Sequence, residues 1–162
     1  MSGAELIREA ASVADVAAAR ALFEEYAAAL NVDLCFQGFT DELASLPGAY
    51  APPRGRLLLA GPPHAPIGCV ALRPLPADDA TTAVCEIKRL YVQPAARGTG
   101  LGAALAQAIL AEARAIGYRE ARLDTLVSMT AARALYASLG FRECAPYYHN
   151  PLGGTAYMAL AL

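Results

Sequence analysis

The spacing of apolar positions along the chain predicts two long helices and two short ones. Apolar residues recur at helical intervals over residues 13–30, behind Ser12 and Asp15, which are spaced as in a capping box. A second long helix is expected over residues 101–116, which Gly117 ends as a C-cap. The short helices are expected from Thr40 or Asp41 to Leu46 and, with Thr130 as a cap, from Thr130 to Leu139.

Short apolar runs between these helices predict strands. Three consecutive runs are separated by glycine and proline turns, which favours an antiparallel meander. The strand, loop, helix and strand that follow imply one right-handed parallel crossover. We therefore expect a single domain over residues 1–162 of the α/β (α+β) class, with a mixed, mainly antiparallel sheet of about six to seven strands and about four helices. The predicted strands are residues 4–8, 56–60, 67–72, 81–92, 120–126, 141–144 and 155–161.

Composition narrows the classes of function that the chain can have. The 162 residues are 56% hydrophobic and 17% charged, with a net charge of −2, so no bulk field favours nucleic acid or an anionic membrane. The four cysteines lie far apart without a Cys-x-x-Cys pair, which argues against a zinc site and a redox dithiol. No secretory segment and no membrane-spanning apolar run is apparent. We expect a cytoplasmic protein that binds no metal, nucleic acid or membrane.

A glycine-rich segment lies between a predicted strand and the second long helix. Each glycine in a helix interior costs about 1 kcal/mol relative to alanine, so glycines at this position indicate a need for bare backbone. Free N–H groups at a helix N-terminus attract anions, and a preceding guanidinium suits phosphate oxygens. The segment therefore predicts a pyrophosphate site made of Arg97, Gly98, Thr99, Gly100, Leu101 and Gly102.

Two other interpretations of this segment stay open. Gly98, Gly100 and Ala103 also fit a dinucleotide-binding pattern, with Asp124 downstream. Residues 93–97 separate the glycines from the strand, however, and the chain offers a single strand–helix–strand unit, so a nicotinamide dinucleotide is the less favoured ligand. The segment could also be a tight start of a helix without any ligand. No Gly-Lys-Ser/Thr follows, which excludes a nucleoside triphosphate P-loop.

The region from residue 85 to residue 141 resembles the GNAT superfamily of acetyl-CoA-dependent N-acyltransferases. The matching residues are Glu86 to Val92, Pro94, the glycine-rich segment, Leu135, Tyr136 and Leu139 to Phe141. One departure is Met129, which occupies a position where family members often carry asparagine. The resemblance implies an N-acetyltransferase that moves an acetyl group directly from acetyl-CoA to a primary amine of a small molecule or peptide. A non-catalytic module that binds acyl-CoA is the alternative, and a homodimer is compatible with the resemblance.

The resemblance also assigns roles to residues that would contact acetyl-CoA. It places Leu90, Tyr91 and Val92 along the pantetheine arm, on a strand that splays from the next one, with a main-chain N–H near Leu90 facing the thioester oxygen. Tyr136 would assist the departing thiolate, and its alternative is a tyrosine at the edge of the core. A tyrosine of pKa about 10 is a weaker acid than a thiol of about 8.5, so a strong hydrogen bond suits Tyr136 better than full proton transfer.

Glu86 has two interpretations. Strict alternation along the strand would place Glu86 on the same face as Lys88, Leu90 and Val92. A carboxylate on a partly apolar face is suited to act as the base, whereas pairing with Lys88 or another cation would make it structural.

Residues expected near the acceptor amine come from loops and strand ends. Arg89 either orients a carboxylate of the acceptor or pairs with an acid of the protein. An aromatic and polar loop near the C-terminus adds further candidates. The predicted substrate-binding residues are Phe36, Arg89, Asp124, Tyr147, Tyr148 and Asn150.

Overall fold

A seven-stranded mixed sheet organises the chain. The computed structural model describes residues 6–30, 34, 38–76, 83–151 and 153–162. The strand order is β1-β2-β3-β4-β5-β7-β6, and β4–β5 is the one parallel pair among the described strands. The predicted fold class is confirmed. The elements are β1 (Ile7–Glu9), α1 (Val13–Leu30), α2 (Phe39–Ser45), β2 (Arg56–Ala60), β3 (Gly68–Pro74), β4 (Val84–Val92), α3 (Leu101–Ile116), β5 (Glu120–Leu126), α4 (Thr130–Ser138), β6 (Arg142–Glu143) and β7 (Thr155–Ala161).

The sheet buries one apolar layer on each face. Alternate residues of the strands pack against α3, where Leu105 and Ile109 are fully buried. The intervening residues pack against α1, where Phe23 is fully buried. Burying a side chain of this size stabilises the fold by about 1.5–3 kcal/mol. The two layers explain why β2, β3 and the first half of β4 are buried at almost every position.

The capping box predicted at the start of α1 is confirmed. The Asp15 N–H donates to Ser12 Oγ at 3.1 Å, and the Ser12 N–H donates to Asp15 Oδ2 at the same distance. The Ala11 N–H adds a third bond at 3.0 Å. The main-chain bonds from Ala11 and Ser12 hold the pKa of Asp15 below its ordinary value.

The structure corrects several predicted boundaries. Helix α2 begins at Phe39 behind Gly38, whose φ of 70° suits glycine, so neither Thr40 nor Asp41 is its cap. Thr130 lies in the first turn of α4, and Met129 precedes it, so Thr130 is not the cap there. Strand β3 extends to Pro74 because it pairs with β4 over that length, and β6 is limited to two paired residues. Predicted strand residues 4, 5, 81 and 82 lie outside the described part of the chain.

Strand β4 contains a bulge that overturns the predicted alternation. Ala71 is paired with Lys88 and Cys69 with Tyr91, so Val70 alone lies opposite both Arg89 and Leu90. The extra residue reverses the side-chain alternation from this point. Leu90 and Val92 therefore pack against the α3 core, whereas Glu86 and Lys88 lie on the opposite face. The prediction that all four share a face is wrong.

Strands β4 and β5 pair only at their beginnings. Their registered pairs run from Val84 with Glu120 to Glu86 with Arg122. Past these pairs the two strands separate, as the family resemblance implies. The separation opens a cleft at the carboxyl ends of both strands.

Candidate functional site

The cleft between β4 and β5 continues toward the N-termini of α3 and α4. Its outer part has a volume of about 500 Å³ and is lined by residues that include Tyr91, Val92 and Arg97. A smaller inner cavity of about 70 Å³ shares Tyr26, Leu90 and Met129 with the outer part, and reaches Lys88, Asp124 and Tyr136. The predicted cofactor strand and the predicted acid thus line one continuous cleft.

The first turn of α3 presents uncapped backbone N–H groups. Gly100 precedes the helix with a φ of 84°, and no side chain caps it. The Thr99 hydroxyl donates instead to the Ala96 carbonyl at 2.7 Å. The first bond of the helix runs from the Ala104 N–H to the Gly100 carbonyl, which leaves the N–H groups of residues 101–103 free to bind an anion.

The three glycines of this segment differ in what requires them. Gly98 and Gly100 have φ of 78° and 84°, which disfavours any other residue. Gly102 has no such conformation, and a Cβ added there would meet Val92 Cγ2 at an ordinary contact distance of 3.9 Å. The packing of the described protein therefore does not require glycine at position 102.

Arg97 lies where the cleft meets the glycine-rich segment. Its Nε donates to the Val92 carbonyl at 3.0 Å, and its guanidinium carbon lies 5.8 Å from the centre of the Tyr91 ring. These contacts hold the guanidinium at Val92, the residue that also lies against Gly102 in the first turn of α3. The role of Arg97 at a pyrophosphate stays a prediction.

Tyr136 lies on α4 at the inner end of the cleft. Its side chain packs edge to face on Phe141, with ring centres 5.7 Å apart, and 8% of the residue is exposed. Burial raises the pKa of Tyr136 above its ordinary value. The phenol is therefore an even weaker acid than a free tyrosine, which favours hydrogen bonding to a leaving thiolate over full proton transfer.

Glu86 is 1% exposed and both of its carboxylate oxygens are bonded. Arg73 contacts Oε1 through Nε and Nη2, each at 2.8 Å, from the neighbouring strand. The Tyr147 hydroxyl donates to Oε2 at 2.7 Å, and Lys88 Nζ lies 3.8 Å from Oε1. The contacts are those of the ion pair that the sequence left open as one alternative.

Lys88 lies between two carboxylates. Its Nζ is 3.8 Å from Glu86 and 3.9 Å from Asp124. Burial lowers the pKa of Lys88, and the two carboxylates oppose that effect. Lys88 lines both the inner cavity and a further cavity that also contains Glu86 and Tyr147.

Three of the predicted acceptor residues form one hydrogen-bonded group. The Tyr148 hydroxyl donates to Asp124 Oδ2 at 2.6 Å. Asn150 Nδ2 donates to Tyr148 Oη at 3.3 Å and to Thr155 Oγ1 at 3.0 Å. Tyr147 joins the group through an edge-to-face contact with Tyr148, whose ring centre is 5.4 Å away.

The remaining predicted acceptor residues are Arg89 and Phe36. Arg89 pairs with Glu42 of α2, which is the second of the two interpretations that the sequence left open. Phe36 lies outside the described residues.

Sequence reasoning missed Tyr26, Arg73 and Glu42. Tyr26 continues the apolar stripe of α1, so its spacing indicated a core position, yet it lines both parts of the cleft. Arg73 and Glu42 reach their partners across 13 and 47 residues of chain, and no local pattern marks such pairs.

The described residues hold no group of three or more histidine, cysteine, aspartate or glutamate side chains placed to bind a metal ion. Over the same residues, none of the helices combines the length and apolar character that crossing a membrane requires.

Comparison with known proteins extends these observations. Residues 20–141 match the family described as the Acetyltransferase (GNAT) family. An uncharacterised N-acetyltransferase of Schizosaccharomyces pombe is 41% identical over 142 residues, which cover 87% of this chain and 85% of that protein. An IAA acetyltransferase of Azospirillum brasilense is 37% identical over 97 residues, covering 60% of this chain and 61% of the relative. The solved yncA of Salmonella typhimurium, with its cofactor acetyl-CoA, is 25% identical with a TM-score of 0.66, covering 96% and 92% of the two chains.

Proposed function

Because the chain belongs to the acetyltransferase (GNAT) family, we propose that it transfers an acetyl group from acetyl-CoA to a primary amine of a small molecule or peptide. The observation that carries this proposal is the continuous cleft, which runs from Arg97 and Val92, beside the uncapped first turn of α3, to Tyr136. A phosphate-binding turn and a buried phenol at opposite ends of one cleft fit a ligand with a pyrophosphate at one end and a thioester at the other.

The cleft residues fit acetyl-CoA, which supplies the thioester as acetyl donor when it is bound. We assign its pyrophosphate to the first turn of α3 and Arg97, because free N–H groups and a guanidinium suit phosphate oxygens. We assign its pantetheine arm to the main chain from Leu90 to Val92, which no longer pairs with β5. The Leu90 N–H would donate to the thioester oxygen, where negative charge develops as the amine adds to the carbonyl carbon.

Tyr136 would donate a hydrogen bond to the sulfur as the C–S bond breaks. Its place in the inner cavity beside Leu90 supports this role. Holding the amine and the thioester in one small cavity also makes the reaction effectively intramolecular.

The proton of the acceptor ammonium needs a base within the same cavity. Asp124 lines the cavity together with Leu90 and Tyr136, and its side chain is 15% exposed. Tyr148 and Lys88 contact Asp124, but Asp124 still lines the cavity, whereas Glu86 does not line it and is bonded at both carboxylate oxygens to Arg73 and Tyr147. The geometry therefore favours Asp124 as the proton acceptor and Glu86 as an ion-pair partner.

A coupled assay tests the proposed function. Purified protein is incubated with acetyl-CoA and a panel of primary amines, and release of free thiol is followed together with the mass of the acetylated amine. We expect stoichiometric thiol release and a mass increase of one acetyl group with at least one amine. A protein that binds acetyl-CoA but acetylates none of the amines would favour the non-catalytic acyl-CoA-binding alternative.

A further inference from the structure

Arg89 has an unusual backbone conformation at the bulge of β4. Its φ of 61° is the one positive value at a non-glycine position in the described residues. Such a conformation costs about 1–3 kcal/mol, persists only where the surrounding structure imposes it, and is concentrated at functional sites. The Cys69 thiol donates to the Arg89 carbonyl at 3.3 Å, which holds the bulge from the side of β3.

The Arg89 side chain is held as firmly as its backbone. Nε and Nη2 donate to the two carboxylate oxygens of Glu42 at 2.9 and 3.0 Å, and the residue is 4% exposed. The guanidinium carbon also lies 5.1 Å from the Phe39 ring centre and 5.8 Å from that of Tyr26. Burial alone would lower the pKa of Arg89, but its bonds to Glu42 outweigh that effect and raise it, so Arg89 stays charged.

The partner of Arg89 lies on a helix that has few other attachments. Helix α2 contains no buried residue, although Phe39 and Leu43 pack partly against the core. Arg20 of α1 donates to the Leu43 carbonyl at 2.9 Å. The bidentate ion pair between Arg89 and Glu42 therefore joins α2 directly to the bulge.

The residue that follows Arg89 is the one whose N–H faces the proposed thioester site. A rotation of the Arg89 backbone would move the Leu90 N–H, because the two residues share a peptide unit. We propose that Arg89 and Glu42 are positioning residues: their ion pair fixes the bulge of β4 and thereby the hydrogen-bond donor at Leu90. This inference rests on the proposed acetyl transfer.

Three variants separate the ion pair from the backbone conformation. Glu42→Gln keeps the shape of the partner but removes its charge. Arg89→Gly tolerates the positive φ but removes the guanidinium. Arg89→Ala removes the guanidinium and also disfavours the positive φ.

We expect the variants to affect kcat more than KM, because the Leu90 N–H would stabilise mainly the negative charge that develops as the amine adds to the thioester. Complete loss of such a donor lowers kcat by about 100- to 1000-fold, so a displaced donor should lower it by about tenfold in Glu42→Gln and Arg89→Gly. The KM for acetyl-CoA should change less than twofold in both, and kcat should fall further in Arg89→Ala.

A matched control comes from another ion pair of the chain. Arg56 Nε donates to Glu112 at 2.9 Å, and the Arg56 side chain is partly buried. Neither residue lines the cleft. Glu112→Gln should therefore leave kcat unchanged, whatever it does to the melting temperature.

The NMR spectrum of the backbone amides in the ligand-free protein gives a second test, which does not depend on catalytic activity. Glu42→Gln and Arg89→Gly should shift the amide signal of Leu90, and Glu112→Gln should not. Wild-type kcat together with an unmoved Leu90 signal in folded Glu42→Gln would overturn the inference. Absence of turnover in the wild-type protein would contradict the proposed function instead, and the spectra would then still show whether the ion pair holds the bulge.

Discussion

Replacing Gly102 by alanine tests whether glycine is required at this position for binding the ligand or for the stability of the fold. Gly102 lies in the first turn of α3, next to the N–H groups that we assign to the pyrophosphate. Its backbone suits any residue, and the added Cβ would lie 3.9 Å from Val92 Cγ2, which is an ordinary contact. The folded protein should therefore accept the methyl group without strain.

The Gly102→Ala substitution should maintain or increase the stability of the fold but weaken the binding of acetyl-CoA. Alanine is favoured over glycine in a helix interior by about 1 kcal/mol, so the free energy of unfolding should stay the same or rise by up to that amount. A methyl group on the phosphate-facing turn displaces a charge-assisted hydrogen bond, which is worth about 1.5–3 kcal/mol. Since about 1.4 kcal/mol corresponds to a factor of ten, the dissociation constant for acetyl-CoA should rise by about 10- to 100-fold.

Calorimetric titration with acetyl-CoA and denaturant unfolding measure the two effects on the same protein. Gly153→Ala is the control, because a Cβ at that glycine meets no atom within 4 Å and its backbone has no positive φ. Gly153→Ala should bind acetyl-CoA as the wild-type protein does. If folded Gly102→Ala also binds acetyl-CoA with unchanged affinity, the assignment of the pyrophosphate to this turn is refuted.

Three further predictions concern side chains. Tyr136→Phe should lower kcat by about 100-fold with an unchanged KM for acetyl-CoA, because it loses only the hydroxyl; full activity in steady-state kinetics would remove Tyr136 from the mechanism. Asp124→Asn should abolish the acid limb of the pH–rate profile and Glu86→Gln should retain it; the reverse result would restore Glu86 as the base. Asp15 has a lowered pKa in the folded state, so it stabilises the protein above about pH 4 and this contribution is lost as the pH falls. Asp15→Ala should cost about 1 kcal/mol at pH 7 and flatten the acid side of the stability curve measured by urea unfolding, whereas an unchanged slope would contradict this origin.

Elements with local signals were predictable from the sequence. The bounds of α1 and α3 match the predictions because a capping box and glycines mark their ends within a few residues. The glycine-rich segment was predictable for the same reason, because glycine is the residue type that the positive φ of Gly98 and Gly100 favours. Local patterns were less reliable for α2, where Gly38 begins the helix in place of Thr40 or Asp41.

The bulge of β4 had no such signal. Arginine is not a residue that favours a positive φ, so nothing at position 89 predicted one. We propose that contacts with distant parts of the chain hold this conformation, above all the ion pair with Glu42, 47 residues away. The contact between Tyr148 and Asp124 likewise depends on β7 lying beside β5, a pairing that their separate patterns do not encode.

Thermal unfolding with acetyl-CoA, and separately with NAD, tests the central claim most directly. A ligand at about 100 times its dissociation constant adds about 2.7 kcal/mol of stability when it binds only the folded state. For a chain of this length that corresponds to a rise in melting temperature of about 5 to 10 °C. We expect this rise with acetyl-CoA and none with NAD. A folded protein whose melting temperature does not move with acetyl-CoA, or moves with NAD alone, would contradict the assignment of the cleft to acetyl-CoA.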